Sequence, residues 1–185
     1  MYPGLQYKKS RRRENTMAKG FILEMNPAVY IGKYQEDGSW VDNYYKKPHL
    51  TKEEEAGLPE EKQEEYIMKR NSFPELPLVN YTTQYGFGCF EGLKAFPQAD
   101  GSLKIFRVDE NAKRMAKSME GLMMPVFPPE KFIEATINIV GKNHTLGFTP
   151  VYNKEWEKND FVLGHSVYIR PFTYAEPGIG LNLSY

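Results

Sequence analysis

The chain has 185 residues, 41% hydrophobic and 14% aromatic, which is enough for one folded domain with a buried core and argues against disorder. Its 24 basic and 24 acidic side chains cancel, so no overall field favours nucleic acid or an anionic membrane as a partner. No apolar run reaches the roughly 20 residues of a membrane helix, no secretory signal is visible and Cys89 is the only cysteine, so we expect a cytoplasmic protein.

The first 20 residues form a basic tail. A cluster of five cationic residues lies there without apolar periodicity: Lys8, Lys9, Arg11, Arg12 and Arg13. The cluster could be a targeting or nucleic-acid arm, but chain termini of this composition are commonly solvated. We therefore predict a flexible tail at residues 1–20 and a folded domain at residues 21–185.

The next segment combines short strands with an acidic insertion. Residues 21–23 and 28–31 are rich in strand-forming side chains and predict two short strands. In the acidic, lysine-rich insertion at residues 51–70, Thr51 and Glu54 have the spacing of a capping box, and Pro59 is typical of a second helix start. The insertion is predicted to form two short surface helices without catalytic chemistry.

A segment rich in aromatic residues and glycine follows. Residues 102–108 read as a strand, and Asp100-Gly101 before them predicts a tight hairpin turn. If residues 85–92 were extended, alternation would place four residues on one face: Gly86, Gly88, Phe90 and Gly92. A glycine-lined face indicates close approach by another protein segment or by a flat ligand, and the pattern leaves both open.

Two amphipathic helices are predicted after the hairpin. The first is capped by Asp109, ends at Gly121 and buries a stripe at helical spacing: Ala112, Met115, Ala116 and Met119. The second starts after Pro128-Pro129 and buries Phe132, Ile133, Ile137 and Val140. Hairpin-connected strands beside two helices predict an α+β domain of two layers, with a mainly antiparallel sheet and flanking helices.

Two arginines are candidate site residues. In the last predicted strand, residues 167–172, Tyr168 and Arg170 share one face. Because guanidinium is a planar fork of donors, this pair could receive a carboxylate, but it could equally be a solvated strand face. Arg114 lies opposite the buried helical stripe, with Glu110 four residues before it, so spacing alone indicates an ordinary surface ion pair.

Several other chemistries are excluded by spacing. The glycines miss the dinucleotide-binding fingerprint, and no P-loop is present. The three histidines and Cys89 have no metal-ligand spacing, so no metal site is predicted. A nucleophile–histidine–carboxylate arrangement is not visible either.

Three blocks of the sequence, taken together, are typical of one protein family. They are QYGFGCFEGLKAF at residues 84–96, DGSLKIFRVDENAKRMAKSMEGLMMP at 100–125 and VYIRPFTYAEPGIGL at 167–181. Together they resemble the branched-chain-amino-acid aminotransferases, enzymes of fold type IV that depend on pyridoxal 5'-phosphate (PLP). With the flanking strands, the resemblance covers residues 20–185.

The resemblance implies roles on the chain's own side of the site. Arg114, in the F-R-x-x-E-N-x-x-R-M pattern, would contact the PLP phosphate, which replaces the surface-pair interpretation. Phe90, in F-E-G, would be an aromatic wall of the substrate pocket. Tyr168 and Arg170, in Y-I-R-P, would line that pocket and position the substrate carboxylate.

Other implied roles involve a homodimer. Tyr85 would reach into the neighbouring active site, and Ile179 and Leu181 would shape the side-chain pocket of the partner subunit. The implied reaction transfers the amino group of leucine, isoleucine or valine to 2-oxoglutarate, so an amino acid and a 2-oxo acid are the expected small-molecule ligands.

The resemblance also implies a lysine that carries PLP and moves the proton. In the family that lysine lies downstream of Y-I-R-P, in a second domain. No lysine of this chain matches its motif, and four near the candidate elements are expected to be solvated: Lys94, Lys104, Lys113 and Lys117. We therefore expect residues 21–185 to be an N-terminal small domain with no catalytic residue, inactive alone, with weak or absent PLP binding.

Two alternatives remain open. The chain could be a non-catalytic homologue that acts as a binding or dimerisation module. It could also be part of a D-amino-acid aminotransferase or aminodeoxychorismate lyase, because those enzymes share the architecture.

Overall fold

The computed structural model describes residues 24–72 and 76–176. The predicted basic tail, the strand predicted at residues 21–23, and Ile179 and Leu181 lie outside the described residues. The elements in chain order are β1 (Ala28–Tyr34), β2 (Trp40–Lys46), α1 (Lys52–Ala56), α2 (Glu60–Asn71), α3 (Tyr81–Tyr85), β3 (Leu93–Pro97), β4 (Leu103–Ile105), α4 (Val108–Gly121), α5 (Pro129–Thr145), a 3-10 helix (Lys154–Asn159) and β5 (Val167–Ile169).

The first two strands form an antiparallel hairpin. Its register places Ala28 opposite Lys46. Gly38 turns the chain in the left-handed region, with φ of 85°, and Asp37 accepts a hydrogen bond from the Ser39 amide at 2.9 Å. The first strand was predicted but the second was not, although Asp37-Gly38 is a hairpin signal.

Both helices predicted in the acidic insertion are present. The Thr51 hydroxyl accepts a hydrogen bond from the Glu54 amide at 3.2 Å, and the Glu54 carboxylate accepts one from the Thr51 amide at 2.8 Å. This reciprocal pair is the predicted capping box, and Pro59 immediately precedes α2 as predicted. The insertion is not wholly a surface feature, however, because Arg70 near the end of α2 is buried.

The second sheet has three antiparallel strands with β3 in the centre. Ala95 lies opposite Ile105 of β4, and Leu93 lies opposite Ile169 of β5. Along β3, Leu93 and Ala95 are buried, while the alternate residues are exposed. The hairpin between β3 and β4 turns at Gly101, with φ of 83°, where it was predicted.

Helices α4 and α5 cover the buried face of this sheet. The core is formed by Leu93, Ala112, Met115, Met119 and Phe132, and Trp40 of the first hairpin packs against it. One helical layer on an antiparallel sheet is the predicted α+β class. None of the helices in the described ranges is long and apolar enough to cross a bilayer.

Two helix predictions need correction. The first helix starts at Val108 with Arg107 as its left-handed N-cap, φ 49°, so Asp109 lies in the first turn and is not the cap. In α5, Ile137 is 52% exposed and Asn143 is buried instead. Asn143 is buried because its side chain bonds the backbone of β1. It accepts a hydrogen bond from the Ala28 amide at 3.0 Å and donates one to the Ala28 carbonyl at 2.9 Å.

Candidate cofactor and substrate site

The glycine-rich segment before β3 is not the extended strand that alternation suggested. Tyr81–Tyr85 is a helical turn, and the Asn80 side chain caps it by accepting from the Thr83 amide at 2.8 Å. Gly86 ends the turn in the left-handed region, with φ of 66°. Gly86 and Gly88 therefore do not continue a strand face with Phe90, because the strand geometry begins only at the bridge between Phe90 and Phe172.

Phe90, Tyr168 and Arg170 lie together. The guanidinium carbon of Arg170 is 4.5 Å from the centroid of the Phe90 ring and 5.0 Å from that of Tyr168. Its Nε and Nη2 atoms donate to the Tyr168 hydroxyl oxygen at 2.9 and 2.5 Å. The Glu91 amide donates to the Pro171 carbonyl at 2.9 Å, which ties the two segments together. These contacts make a cation fixed between two aromatic rings, suited to a carboxylate.

Arg114 is joined to the same segment through Glu91. Its Nε donates to Glu91 Oε1 at 2.6 Å and its Nη2 to Glu91 Oε2 at 2.5 Å, and Nη2 also donates to Asn111 Oδ1 at 3.0 Å. The pair that spacing indicated is wrong, because Glu110 binds Lys113 at 2.8 Å. Glu91 is only 4% exposed, and a buried carboxylate needs a partner more than a solvated one does.

The Glu91 contact also affects the charge of Arg114. Hydrogen bonding, then the charge of Glu91, raises the pKa of the Arg114 guanidinium above its usual range, so it is a permanent cation. Two-thirds of the side chain is exposed, and among the described residues its Nη1 atom makes no hydrogen bond. Arg114 can therefore contact an anion without releasing Glu91.

A groove of about 920 Å³ connects Arg114 with Tyr168. The charged residues of its lining are mostly cationic, with Lys94, Arg107, Lys113, Arg114 and Lys117 set against Glu110. The exposed rings of Phe96 and Phe106 form part of the wall. Cations beside aromatic surface suit a phosphorylated ring, so the residues present fit the phosphate end of PLP.

The groove lysines do not resemble a residue that carries PLP. Lys94, Lys113 and Lys117 are all exposed. The hydrogen bond to Glu110, and then its charge, raises the pKa of Lys113, which keeps that amine protonated. A lysine that attacks a carbonyl must be deprotonated, and desolvation is the usual means.

Tyr85 lies apart from the Phe90 cluster. It is the last residue of α3, is 77% exposed, and its ring is 6.1 Å from that of Tyr81. Ile179 and Leu181 lie outside the described residues. Two further residues were not selected as site residues from the sequence, Glu91 and Gly92. Glu91 could have been found from the sequence. Alternation places its carboxylate on the apolar face of the segment, where a charged group needs a partner.

Comparison with known proteins identifies relatives of part of the chain. No protein-family model matches it. The branched-chain-amino-acid aminotransferase of Haemophilus influenzae is 36% identical over 99 residues, 54% of this chain and 25% of that protein. Branched-chain-amino-acid transaminase 1 of Bacillus subtilis is 38% identical over 101 residues, with the same coverage. The chain thus spans about a quarter of the length of the curated relatives it matches.

Solved structures of the same name are also similar. The aminotransferase of Thermoproteus uzoniensis with norvaline matches at 22% identity and a TM-score of 0.44, covering 61% of this chain and 32% of that one. The aminotransferase of Thermobaculum terrenum, as its M4 mutant, matches at 24% identity and a TM-score of 0.41, covering 65% of this chain and 31% of that one. Another branched-chain amino acid aminotransferase of similar likeness was solved in complex with N-(5'-phosphopyridoxyl)-L-glutamate.

The sequence relatives indicate the class of protein. The matched part of the chain is related to the PLP-dependent aminotransferases. Within that class its relatives are the branched-chain-amino-acid aminotransferases, which confirms the resemblance found in the sequence.

Proposed function

We propose that residues 21–185 are the small domain of a branched-chain amino acid aminotransferase, acting on leucine, isoleucine or valine and 2-oxoglutarate. In this proposal Arg114 binds the PLP phosphate, and Phe90, Tyr168 and Arg170 bind the substrate. The proposal rests mainly on one observation, that candidate residues distant in sequence lie together in the structure. The Phe90 and Arg170 side chains, distant in sequence, are in contact, and Tyr168 beside them borders the groove that contains Arg114.

Each proposed role follows from a contact. Arg170 can receive a carboxylate on Nη1, because its Nε and Nη2 atoms already donate to Tyr168. Phe90, 63% exposed, offers apolar surface to a branched side chain. Glu91 holds Arg114 at two atoms, so the cation meets the phosphate from a fixed direction. PLP, when bound, supplies the electron sink of transamination.

We further propose that the chain by itself does not catalyse transamination. The support is the state of the lysines near the candidate site, since Lys94, Lys104, Lys113 and Lys117 are all exposed. A lysine that carries PLP is usually activated by desolvation, which an exposed amine lacks. The lysine that carries PLP would then be supplied by another part of the complete protein.

The proposal includes a homodimer in which Tyr85 enters the neighbouring site. Its support is that Tyr85 is 77% exposed and projects from a short helix, available to a second subunit. A large exposed aromatic side chain of this kind is common at protein interfaces. Ile179 and Leu181 would belong to the same interface.

The phosphate assignment is tested by titrating the 185-residue chain with PLP and with pyridoxal, which lacks the phosphate, while recording ³¹P linewidths and PLP fluorescence. We expect PLP to bind more tightly than pyridoxal, with the difference lost in Arg114→Ala and retained in Lys62→Ala, an exposed lysine of α2 outside the groove. Equal PLP binding by Arg114→Ala and by the unmodified chain would reject the assignment.

The proposed inactivity has a separate test. The chain is incubated with PLP and leucine, reduced with borohydride and digested for peptide mapping, and 2-oxoglutarate turnover is measured in parallel. We expect scattered, substoichiometric labelling of surface lysines and no turnover. A single lysine labelled in full, together with turnover, would contradict the proposal.

A further inference from the structure

We propose that Gly92 is a positioning residue of the carboxylate site, where its missing side chain leaves the space that the Tyr168 hydroxyl occupies. An ideal Cβ atom built on Gly92 would lie 2.6 Å from Tyr168 Oη, 3.3 Å from Cζ and 3.4 Å from Cε2. The first separation is shorter than real carbon–oxygen contacts, so any side chain at this position must displace the phenol. The inference rests on the proposed function for the role of Arg170.

The backbone does not require glycine at this position. Gly86 and Gly101 have positive φ values, at which other residues are strained, but Gly92 is absent from that group. In the register of β3 and β5, Lys94 lies opposite Tyr168, so position 92 is its diagonal neighbour on the same face. The close approach of the phenol is therefore the feature that selects glycine.

The position of the phenol in turn fixes Arg170. The Tyr168 hydroxyl oxygen accepts hydrogen bonds from Nε at 2.9 Å and Nη2 at 2.5 Å, and the guanidinium lies over Phe90. An arginine side chain has several rotatable bonds, and these contacts select one arrangement. Gly92 thus acts on the proposed carboxylate receptor through Tyr168, without touching the carboxylate itself.

The contact distances at Gly92 allow a rescue to be designed. In Gly92→Ala the methyl group pushes the phenol away, and Arg170 loses its acceptor or follows it. In Gly92→Ala/Tyr168→Phe the atom at 2.6 Å is gone, and the ring carbons at 3.3 and 3.4 Å need to move only slightly. The double variant should therefore fold normally while lacking the hydroxyl that orients Arg170.

The experiment uses the 185-residue chain and the 2-oxo acid of leucine, 4-methyl-2-oxopentanoate, as the probe. The Arg170 Nε–H resonance, assigned by its loss in Arg170→Lys, reports the hydrogen bond to Tyr168 before and during titration. In Gly92→Ala we expect this resonance to move to the position of a free arginine and the Kd to rise about tenfold or more, the effect of one charge-assisted hydrogen bond. Gly141→Ala is the matched control, because a Cβ at Gly141 meets nothing within 4 Å.

The Tyr168→Phe background separates positioning from a general effect on the fold. There the addition of Gly92→Ala should change the Kd less than twofold, because the hydroxyl is already absent. An unchanged Arg170 resonance in Gly92→Ala, or the same loss of affinity in both backgrounds, would overturn the inference. If the unmodified chain does not bind the oxo acid but Gly92→Ala still moves the resonance, the carboxylate role fails and the positioning by Gly92 stands.

Discussion

Replacing Arg70 by alanine is expected to lower the free energy of unfolding by about 3 kcal/mol. The Arg70 side chain is 2% exposed and donates to Glu55 at 2.8 Å and to Glu24 at 3.0 Å, while its guanidinium carbon lies 5.4 Å from the Tyr66 ring. Removing one partner of a buried ion pair costs about 3–5 kcal/mol, because the other charge is left without compensation. Here that charge is the carboxylate of Glu55, whose side chain is 11% exposed.

Two features place the expected loss at the lower end of that range. Glu24 is 31% exposed, so water can replace the bond it loses. Within residues 24–72 and 76–176, the buried Nε atom of Arg70 has no hydrogen-bond partner, so the native arrangement already carries an uncompensated polar group. The paired replacement Glu55→Leu/Arg70→Met should recover most of the loss, since apolar side chains of similar volume can substitute for a buried pair.

The assay for this prediction is urea unfolding followed by far-ultraviolet circular dichroism at neutral pH. Lys69→Ala is the matched control, because Lys69 is an exposed cation in the same helix. A loss in Arg70→Ala of less than about 1 kcal/mol, the range of an exposed pair, would refute the reasoning. A double replacement no more stable than Arg70→Ala would show that packing on Tyr66, and not charge, is decisive.

Two further predictions use the same unfolding assay. Leu93→Ala should cost about 2–5 kcal/mol, because Leu93 is 4% exposed in the core, and a change below about 1 kcal/mol would contradict that core. For Asp42, hydrogen bonds from Lys131 and then Tyr30 lower the carboxyl pKa. Its contribution is then complete above the unfolded pKa of about 4 and is lost as pH falls through the lower folded value. The stability difference between wild type and Asp42→Asn should therefore be constant near neutral pH and shrink in acid, and a difference that grows in acid would show the opposite sign.

Structural features that depend on residues close together in the sequence were predicted well. The capping box of Thr51 and Glu54 and the hairpin turn at Gly101 were both located from spacing alone. Such signals depend on side chains that bond within one turn of the chain, so distant residues cannot override them easily.

Features set by distant partners were predicted poorly. The helical wheel paired Arg114 with Glu110, but the structure pairs it with Glu91, 23 residues away on another element. Asn143 turns inward for the backbone of Ala28, 115 residues away, whereas Ile137 of the same helix is 52% exposed. A helical wheel ranks apolar side chains and cannot anticipate a buried polar group that needs a partner.

Some of the candidate site residues were identified from the sequence, and others were identified only from the structure. The resemblance selected Phe90, Tyr168 and Arg170, and the structure brings these three together. It did not select Gly92; the glycine pattern predicted a close approach there, but only the structure identifies the Tyr168 hydroxyl as the group that fills the space.

Residues 90–93, which lead into and begin β3, contribute to both the core and the candidate site. Glu91 binds Arg114 of α4 and Leu93 packs in the core, while Phe90 and Gly92 contact Arg170 and Tyr168 on the other face. Because side chains alternate, a slip of one residue against β5 would send Phe90 inward and the Glu91 carboxylate into water, exchanging the two faces. The strand register that buries the core is therefore the same register that assembles the candidate site. A chain with mispaired strands would lose both.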